Sequence, residues 1–375
     1  MLCLRCYTEI DLGRIERNFG IYRGALSDGF EIIPVVKADA YGHGAVSVAS
    51  RLYPQGVRLF AAATLSEAIA LRKGGIASDI LILGYTPLRN AEDIYKYGLT
   101  QTLVDECYTR ELATATDKRL KVQYAIDTGM RRIGINALRP SVCERLIRYA
   151  AARFELTGIF THLAVADGTD SEKTEFTRMQ IKRFADIAVS VADLRLPFVH
   201  CLNTAGGIAY GDLPEGIGKF VRLGISLYGL APSKDIILPC GIEPALSWYA
   251  TVTSVRAVKR GENVGYGFGY AAERDGIIAT LSVGYADGYS RAASNKAYVL
   301  INGQRAPVVG RVCMDQTMVD VSRVSHLRAG DVATLIGADG NERITADDLG
   351  EMLGTIGYEV VCGISARVER RYKRV

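Results

Sequence analysis

The side chains able to do chemistry recur at one kind of place in this chain, directly after a short apolar run. Lys37 follows IIPVV, and Tyr41-Gly42-His43-Gly44 comes next. Asp127-Thr128-Gly129 and then Arg132 close a second run, and Thr161-His162 a third. Asn203-Thr204 with Gly206-Gly207 closes a fourth, and Arg222 lies within a fifth that ends in Gly224. A lysine held out of water has a lowered amine pKa and becomes a nucleophile toward carbonyls. A strand-end lysine snorkelling to solvent is the structural alternative. Arg132 and Arg222 are fixed cations suited to carboxylate, phosphate or ring-nitrogen contacts, or equally to structural ion pairs. The glycines expose backbone N–H groups near a short helix start, which suits a phosphate, although tight turns need glycines too.

These residues need a scaffold that gathers strand ends. Eight apolar runs read as buried strands: 31–36, 59–63, 80–83, 99–104, 122–126, 156–160, 198–202 and 220–223. Stretches with helical spacing separate most of them, among them 64–73, 90–97, 141–152 and 174–194. Ser66 and Ser141 read as N-caps and Gly74-Gly75 as a stop. The segment 204–211 is glycine-rich and holds at most one helical turn. Near-continuous hydrophobicity suits strands covered on both faces. The alternation predicts a (β/α)8 TIM-type barrel, with an open doubly wound sheet as the runner-up. In a barrel the chemistry sits at the C-terminal strand ends, which is where the polar residues fall.

The texture changes after Pro239. Residues 247–259 read as one long strand, followed by 277–283 and 297–301. Asn302-Gly303 is a two-residue hairpin signature, Asp339-Gly340 is a second, and only 346–353 looks helical. The expected organisation is a barrel over 1–239 and a mainly β domain over 240–375, with the first ~10 residues free to pair with the β domain.

Composition narrows the function classes. The 375 residues carry 45 Lys and Arg against 41 Asp and Glu, a net charge of +4. The last ten residues hold five basic side chains and one acidic, so the whole surplus sits in what reads as a solvated terminus. The body is balanced, which argues against a nucleic-acid partner. No apolar run reaches the ~18 residues of a membrane span, and Arg5 and Glu9 interrupt any signal-peptide core. Eight scattered cysteines read as reduced thiols in a cytoplasmic protein. Cys3-Leu-Arg-Cys6 has no second CxxC to complete a zinc site, the four histidines show no ligand spacing, and no metal is expected.

VVKADAYGHG (35–44) closely resembles the cofactor-lysine motif of the alanine racemases, enzymes that use pyridoxal 5'-phosphate (PLP). IDTGMRRIG (126–134), GIFTHLAVAD (158–167), VRLGISLYGL (221–230), VGYADGY (283–289) and GRVCMDQ (310–316) look like family segments in family order. The resemblance implies that Lys37 carries PLP covalently. It implies that Tyr41, Thr204 and the N–H groups of Gly224 and Ile225 hold the phosphate, and that Asn203 also binds the cofactor. It implies that Arg222, braced by His162, faces the pyridine nitrogen, and that Arg132 binds the substrate carboxylate. Tyr266, in VGYGFGY, aligns with a second catalytic base. Met314 aligns with a substrate-binding residue, while Tyr285 and Asp315 align with residues that reach the neighbouring subunit's site. Arg291 resembles an entrance-channel residue. Core packing for Met314 and aromatic packing for Tyr285 are the structural alternatives.

The implied activity is interconversion of L- and D-alanine in a homodimer with shared sites, supplying D-alanine for peptidoglycan. Racemisation needs a base on each face of the substrate, and Lys37 and Tyr266 fit those roles. Arginine does not give up its proton at neutral pH, so Arg222 leaves the ring nitrogen unprotonated and disfavours side reactions. Two positions depart from the family pattern. Ala125 stands where many relatives carry a carbamylated lysine that supports the carboxylate-binding arginine. Ala366 stands where alanine racemases usually have a tyrosine. The second departure makes a serine/alanine racemase of the vancomycin-resistance type the alternative, with Ala366 widening the pocket. A decarboxylase would use an acidic residue in place of Arg222, and a non-catalytic PLP-binding barrel would lack the β domain.

Overall fold

Parallel pairing dominates the first two-thirds of the chain in a computed structural model that describes residues 5–373. One compact unit comprises 16–40 and 45–242, and a second comprises the N-terminal residues to Ile15, 41–44 and the chain from Glu243 onward.

In the first unit the expected apolar runs form strands Glu31–Pro34, Leu59–Ala62, Asp79–Ile82, Thr100–Leu103, Lys121–Asp127, Glu155–Phe160 and Phe220–Leu223. The seventh run is two short strands, Phe198–His200 and Leu202–Asn203, interrupted at Cys201. Adjacent strands pair in parallel, as in Phe60↔Ile80, Leu103↔Tyr124 and Arg222↔Ile33. They lie in two sheets, one running from Leu59–Ala62 to Phe198–His200 and one joining Leu202–Asn203, Phe220–Leu223 and Glu31–Pro34. Phe60, Ile80, Leu81 and Ile82 are fully buried, and each such side chain contributes about 1.5–3 kcal/mol relative to exposure.

Two cap assignments need correction. Helix Leu65–Lys73 is capped by Thr64 rather than Ser66: Thr64 Oγ1 accepts from Glu67 N, and the Glu67 carboxylate returns to Thr64 N. Helix Pro140–Arg153 begins at Pro140, one residue before Ser141, because proline needs no N–H partner in a first turn. Helices Leu12–Ala25, Ala45–Leu52 and Glu106–Ala115 are present although their spacing did not single them out.

The second unit is built on the long strand Leu246–Val258. It pairs antiparallel with Cys6–Asp11, Gly276–Leu281 and Val332–Asp339. Trp248 is buried and meets the Tyr289 ring edge-on at 5.9 Å. Asn302 and Gly303 form the two-residue hairpin turn with φ of 52° and 72°. The other turn sits one residue later than expected: Asp339 pairs with Glu342, so Gly340 and Asn341 make the bend. Helix Gly357–Gly363 joins Ala346–Leu353.

The basic C-terminus is not a solvated tail. Glu369–Lys373 is a strand alongside Cys6–Asp11. Its cations are engaged: Lys373 reaches Glu9 at 2.6 Å, and Arg370 donates to the carbonyls of Gly42, Ile364 and Val368. Cys3 of the CxxC pair lies outside the described residues, and no cluster of three or more metal-ligating side chains occurs among those described. No helix in the described residues is long and apolar enough to cross a membrane.

Candidate active site

Arg222 is the centre of the first unit's polar residues. It lies on strand Phe220–Leu223 and is 4 % exposed. Nη1 donates to His200 Nδ1 at 2.6 Å and to the His200 carbonyl at 3.3 Å. Nη2 donates to the carbonyls of Thr161 (2.7 Å) and Cys201 (3.0 Å) and lies 3.4 Å from His162 Nδ1. The tight brace is therefore His200, and His162 is the looser one. All these bonds run through the terminal nitrogens, which leaves Nε–H for a ligand. Burial lowers the Arg222 pKa to about 10, so the guanidinium stays charged at neutral pH.

His200 is fully buried within its strand. It stacks on Phe160 at 5.3 Å, and its Nε2 lies 2.9 Å from Gln123 Oε1. An acceptor at Nε2 and a donor at Nδ1 define a neutral ring with its proton on Nε2. Burial first, then repulsion from Arg222, holds its pKa well below the usual range. The signal for both residues was a polar side chain inside an apolar run, FVHCL and VQYAI.

His162 follows strand Glu155–Phe160, and its pKa is also held well below the usual range. Burial is the main cause, and Arg222, Arg132 and Lys37 add repulsion in that order. Three cations thus act on one neutral ring, an environment that favours an anion. Lys37 is half-buried at the start of a tight turn in which Ala38, Asp39, Ala40 and Tyr41 all have φ near 52–55°. Asp39 anchors this turn by accepting from Ala45 N at 2.8 Å, and Glu67 accepts from Ala38 N at 2.7 Å. Thr204 Oγ1 accepts from Gly224 N at 3.0 Å, which brings together two of the expected phosphate-end groups. Asn203 Oδ1 caps the following helix at Gly206 N (2.8 Å), and Ile225 is buried. Gly206 and Gly207 face Leu163, Val221 and Tyr22, so close helix packing accounts for both. Arg132 is exposed, beside a cavity of about 20 Å³ lined by Ala125, Met130, Phe160, Thr161 and His162.

The remaining candidates lie in the second unit. Tyr41 is buried, and burial raises its phenol pKa, with Cys362 adding to the shift. Gly42 and Gly44 follow at φ 79° and 88°, and a Cβ on Gly42 would come within 2.3 Å of the Val361 carbonyl. Tyr266 stands in a bend of alternating glycines and is 71 % exposed. Arg311, not singled out by the sequence, lies against that bend, 3.2 Å from where a Gly267 Cβ would be. Tyr285 and Met314 are exposed on adjoining segments, joined by bonds from Tyr285 N to the Cys313 carbonyl and from Ala286 N to the Met314 carbonyl, both 3.0 Å. Arg291 is exposed on a short turn, Arg291–Ala293, and acts electrostatically on Cys313. Asp315 is held by Arg367 at 2.8 Å and Arg5 at 3.6 Å. Fully buried Asp287 receives both Arg5 and Arg367 and accepts from Gly284 N. This network of Arg5, Asp287 and Arg367 carried no sequence signal, because its members are up to 362 residues apart in the chain. Ala366 is exposed next to Arg367.

Residues 10–232 match the family model of the alanine racemase N-terminal domain, and 245–372 that of its C-terminal domain. The chain is 41% identical over 373 residues to a protein of Clostridium acetobutylicum named alanine racemase 1, covering 98% of this chain and 95% of that one. Among solved structures, alanine racemase from E. faecalis superposes with a TM-score of 0.90 at 34% identity, covering 98% of both chains. Alanine racemase from Bacillus anthracis with bound L-Ala-P gives the same TM-score and identity, covering 99% of this chain and 95% of that one.

Proposed function

The chain belongs to the alanine racemase family, and from that premise we propose that it interconverts L- and D-alanine with PLP as cofactor, in a homodimer whose sites are shared. The observation that carries the reading is Arg222, a buried cation with both terminal nitrogens committed and Nε–H left over, beside a neutral His162 on which Lys37 and Arg132 also act electrostatically.

PLP fits this donor set. Lys37 is the amine that would attach it, and Arg222 Nε–H the donor for its ring nitrogen. Thr204, Tyr41 and the N–H group of Ile225 suit its phosphate; Gly224 N–H, which here donates to Thr204 Oγ1, would turn to it, and Asn203 holds the helix start beside it. Bound PLP supplies an electron sink that acidifies the Cα–H of an amino acid. Arg132 holds the substrate carboxylate. Lys37 Nζ removes the Cα proton on one face, and Tyr266 Oη of a second copy returns a proton to the other; the reverse direction exchanges the roles. One C–H bond breaks and one forms, so the substrate is unchanged apart from its configuration. Arg222 remains protonated throughout and donates without transferring its proton. Met314 and Tyr285 flank the substrate from the second copy, with Asp315 and Arg291 nearer the entrance.

The serine alternative has no support: the relatives above are named alanine racemase, and Ala366 by itself does not point to serine. The first unit is read as a closed (β/α)8 barrel. The parallel bridge Val35–Ala61 and the single residue between Phe198–His200 and Leu202–Asn203 support that closure. The domains are read as 1–239 and 240–375, with the N-terminal strand in the second, and the site of action as the cytoplasm, supplying D-alanine for peptidoglycan.

The test incubates the PLP-loaded protein with L-alanine and, separately, with L-serine, and follows optical activity. Loss of signal toward zero with alanine, far faster than with serine, is expected. No change with alanine would sink the assignment.

A further inference from the structure

Helix Ser171–Ser190 carries a glutamine, Gln180, that is fully buried. A primary amide offers two N–H donors and a carbonyl acceptor, and burying it is unfavourable unless they are matched. Here all are matched, and every partner lies in a segment leading to a site residue. Nε2 donates to Thr128 Oγ1 at 3.0 Å and to the His162 carbonyl at 3.1 Å. Oε1 accepts from Ala164 N at 2.9 Å. The exchanged orientation of the amide would set donor against donor at Ala164, so the assignment follows from the partners.

The segment 161–164 leaves its strand, and two of its backbone groups have no sheet partner there. Gln180 replaces that partner for His162 and Ala164. Thr128 begins the loop that carries Arg132, and its hydroxyl is 2.8 Å from that of Thr161. The Thr161 carbonyl in turn accepts from Arg222. One amide therefore ties the Arg132 loop to the His162 segment, three hydrogen bonds from Arg222 by way of Thr128 and Thr161.

We infer that Gln180 is a positioning residue, which sets the distance between the loop bearing Arg132 and the His162–Arg222 pair and so controls affinity for the substrate carboxylate. This rests on the reading of Arg132 given above. Ala125 makes the role more demanding, because a small cavity rather than a side chain lies beside Arg132.

The test uses the full-length holoenzyme. Gln180→Leu removes all three bonds at similar volume. It is expected to raise KM for L- and D-alanine about 10-fold with kcat nearly unchanged, and to weaken acetate binding in calorimetry by a similar factor. Gln180→Glu keeps the acceptor for Ala164 N and loses both amide donors. It shares most of the effect and answers the question if the leucine variant does not fold. Combined with Arg132→Lys, the KM factors should fail to multiply. A folded Gln180 variant with a lower Tm but ordinary KM and acetate affinity would overturn the proposal, as would factors that multiply in full. An unchanged KM in Arg132→Lys alone would instead overturn the reading of Arg132, so the two failures are distinct.

Discussion

Arg222 Nη1 donates to His200 Nδ1 at 2.6 Å, and this bond makes a histidine inside a strand the fixed, neutral seat of the site's buried cation. Gln123 completes it by accepting from the opposite ring nitrogen. Protonating His200 would place two cations in contact with no solvent to screen them. The ring thus ties the electrostatics of the site to the stability of the fold.

Stability should fall as the pH is lowered through the histidine range. The unfolded chain protonates His200 near pH ~6.5, and the folded chain does not, because the folded pKa is depressed. Below that pH the unfolded state binds more protons, which costs about 1.4 kcal/mol per pH unit per such ring. His162 shifts in the same direction and adds to the slope. Above about pH 7 both rings are neutral in either state and the contribution is flat. Denaturant midpoints measured from about pH 8 to pH 5 check this, and His200→Phe should flatten part of the slope. A midpoint that does not move on acidification would contradict the buried, neutral assignment.

Tyr266→Phe should act on one enantiomer more than on the other. On the proposed reading Lys37 and Tyr266 are different bases, so losing the phenol would remove proton transfer at a single face. Exchange of the L-alanine Cα proton in deuterium oxide should drop about 10²–10⁴-fold, with exchange from D-alanine retained far better. Equal losses for the two enantiomers would exclude a two-base division between these residues.

Mixed dimers should recover activity that neither parent has. Lys37→Ala and Tyr266→Phe subunits, exchanged and verified by mass, form hybrids with one site holding both wild-type residues. Random mixing returns about a quarter of the sites. The 71 % exposure of Tyr266 motivates the experiment, since it leaves the phenol open to a second copy. Absence of recovery after proven exchange would place both bases in one chain.

Gly42→Ala should be strongly destabilising, by about 3 kcal/mol or more. The new methyl would meet the Val361 carbonyl at 2.3 Å at a φ of 79°, and neither backbone can yield cheaply. Gly56→Ala is the control: it has the same φ of 79° but open space around it, and should lose only about 1–2 kcal/mol. Equal shifts in Tm for the two variants would show that the close approach does not matter.

The alternation of apolar runs with helical spacing was enough to place Lys37, His162 and Arg222 on strand ends, because period and burial are local properties of a sequence. The family segments added Tyr266, Tyr285 and Met314, which no local rule distinguishes from packing. Other features needed the tertiary structure. Glu369–Lys373 has no apolar alternation, since a strand beside a single neighbour can keep charged side chains in water. Thr64 rather than Ser66 caps its helix because Glu67 can reach back from the third position, a choice that backbone geometry makes. His200 and Gln123 are 77 residues apart, and Arg5 and Asp287 are 282 apart. Gln180 meets Thr128 only because its helix folds back over the strand ends. The sequence by itself determined which residue types stand at the strand ends and which family they belong to. Which nitrogen each cation is held by, and which loop each amide restrains, was decided by the fold. A hydrogen bond depends on distances of a few tenths of an ångström between atoms the chain brings together from far apart, and spacing along the chain does not encode them.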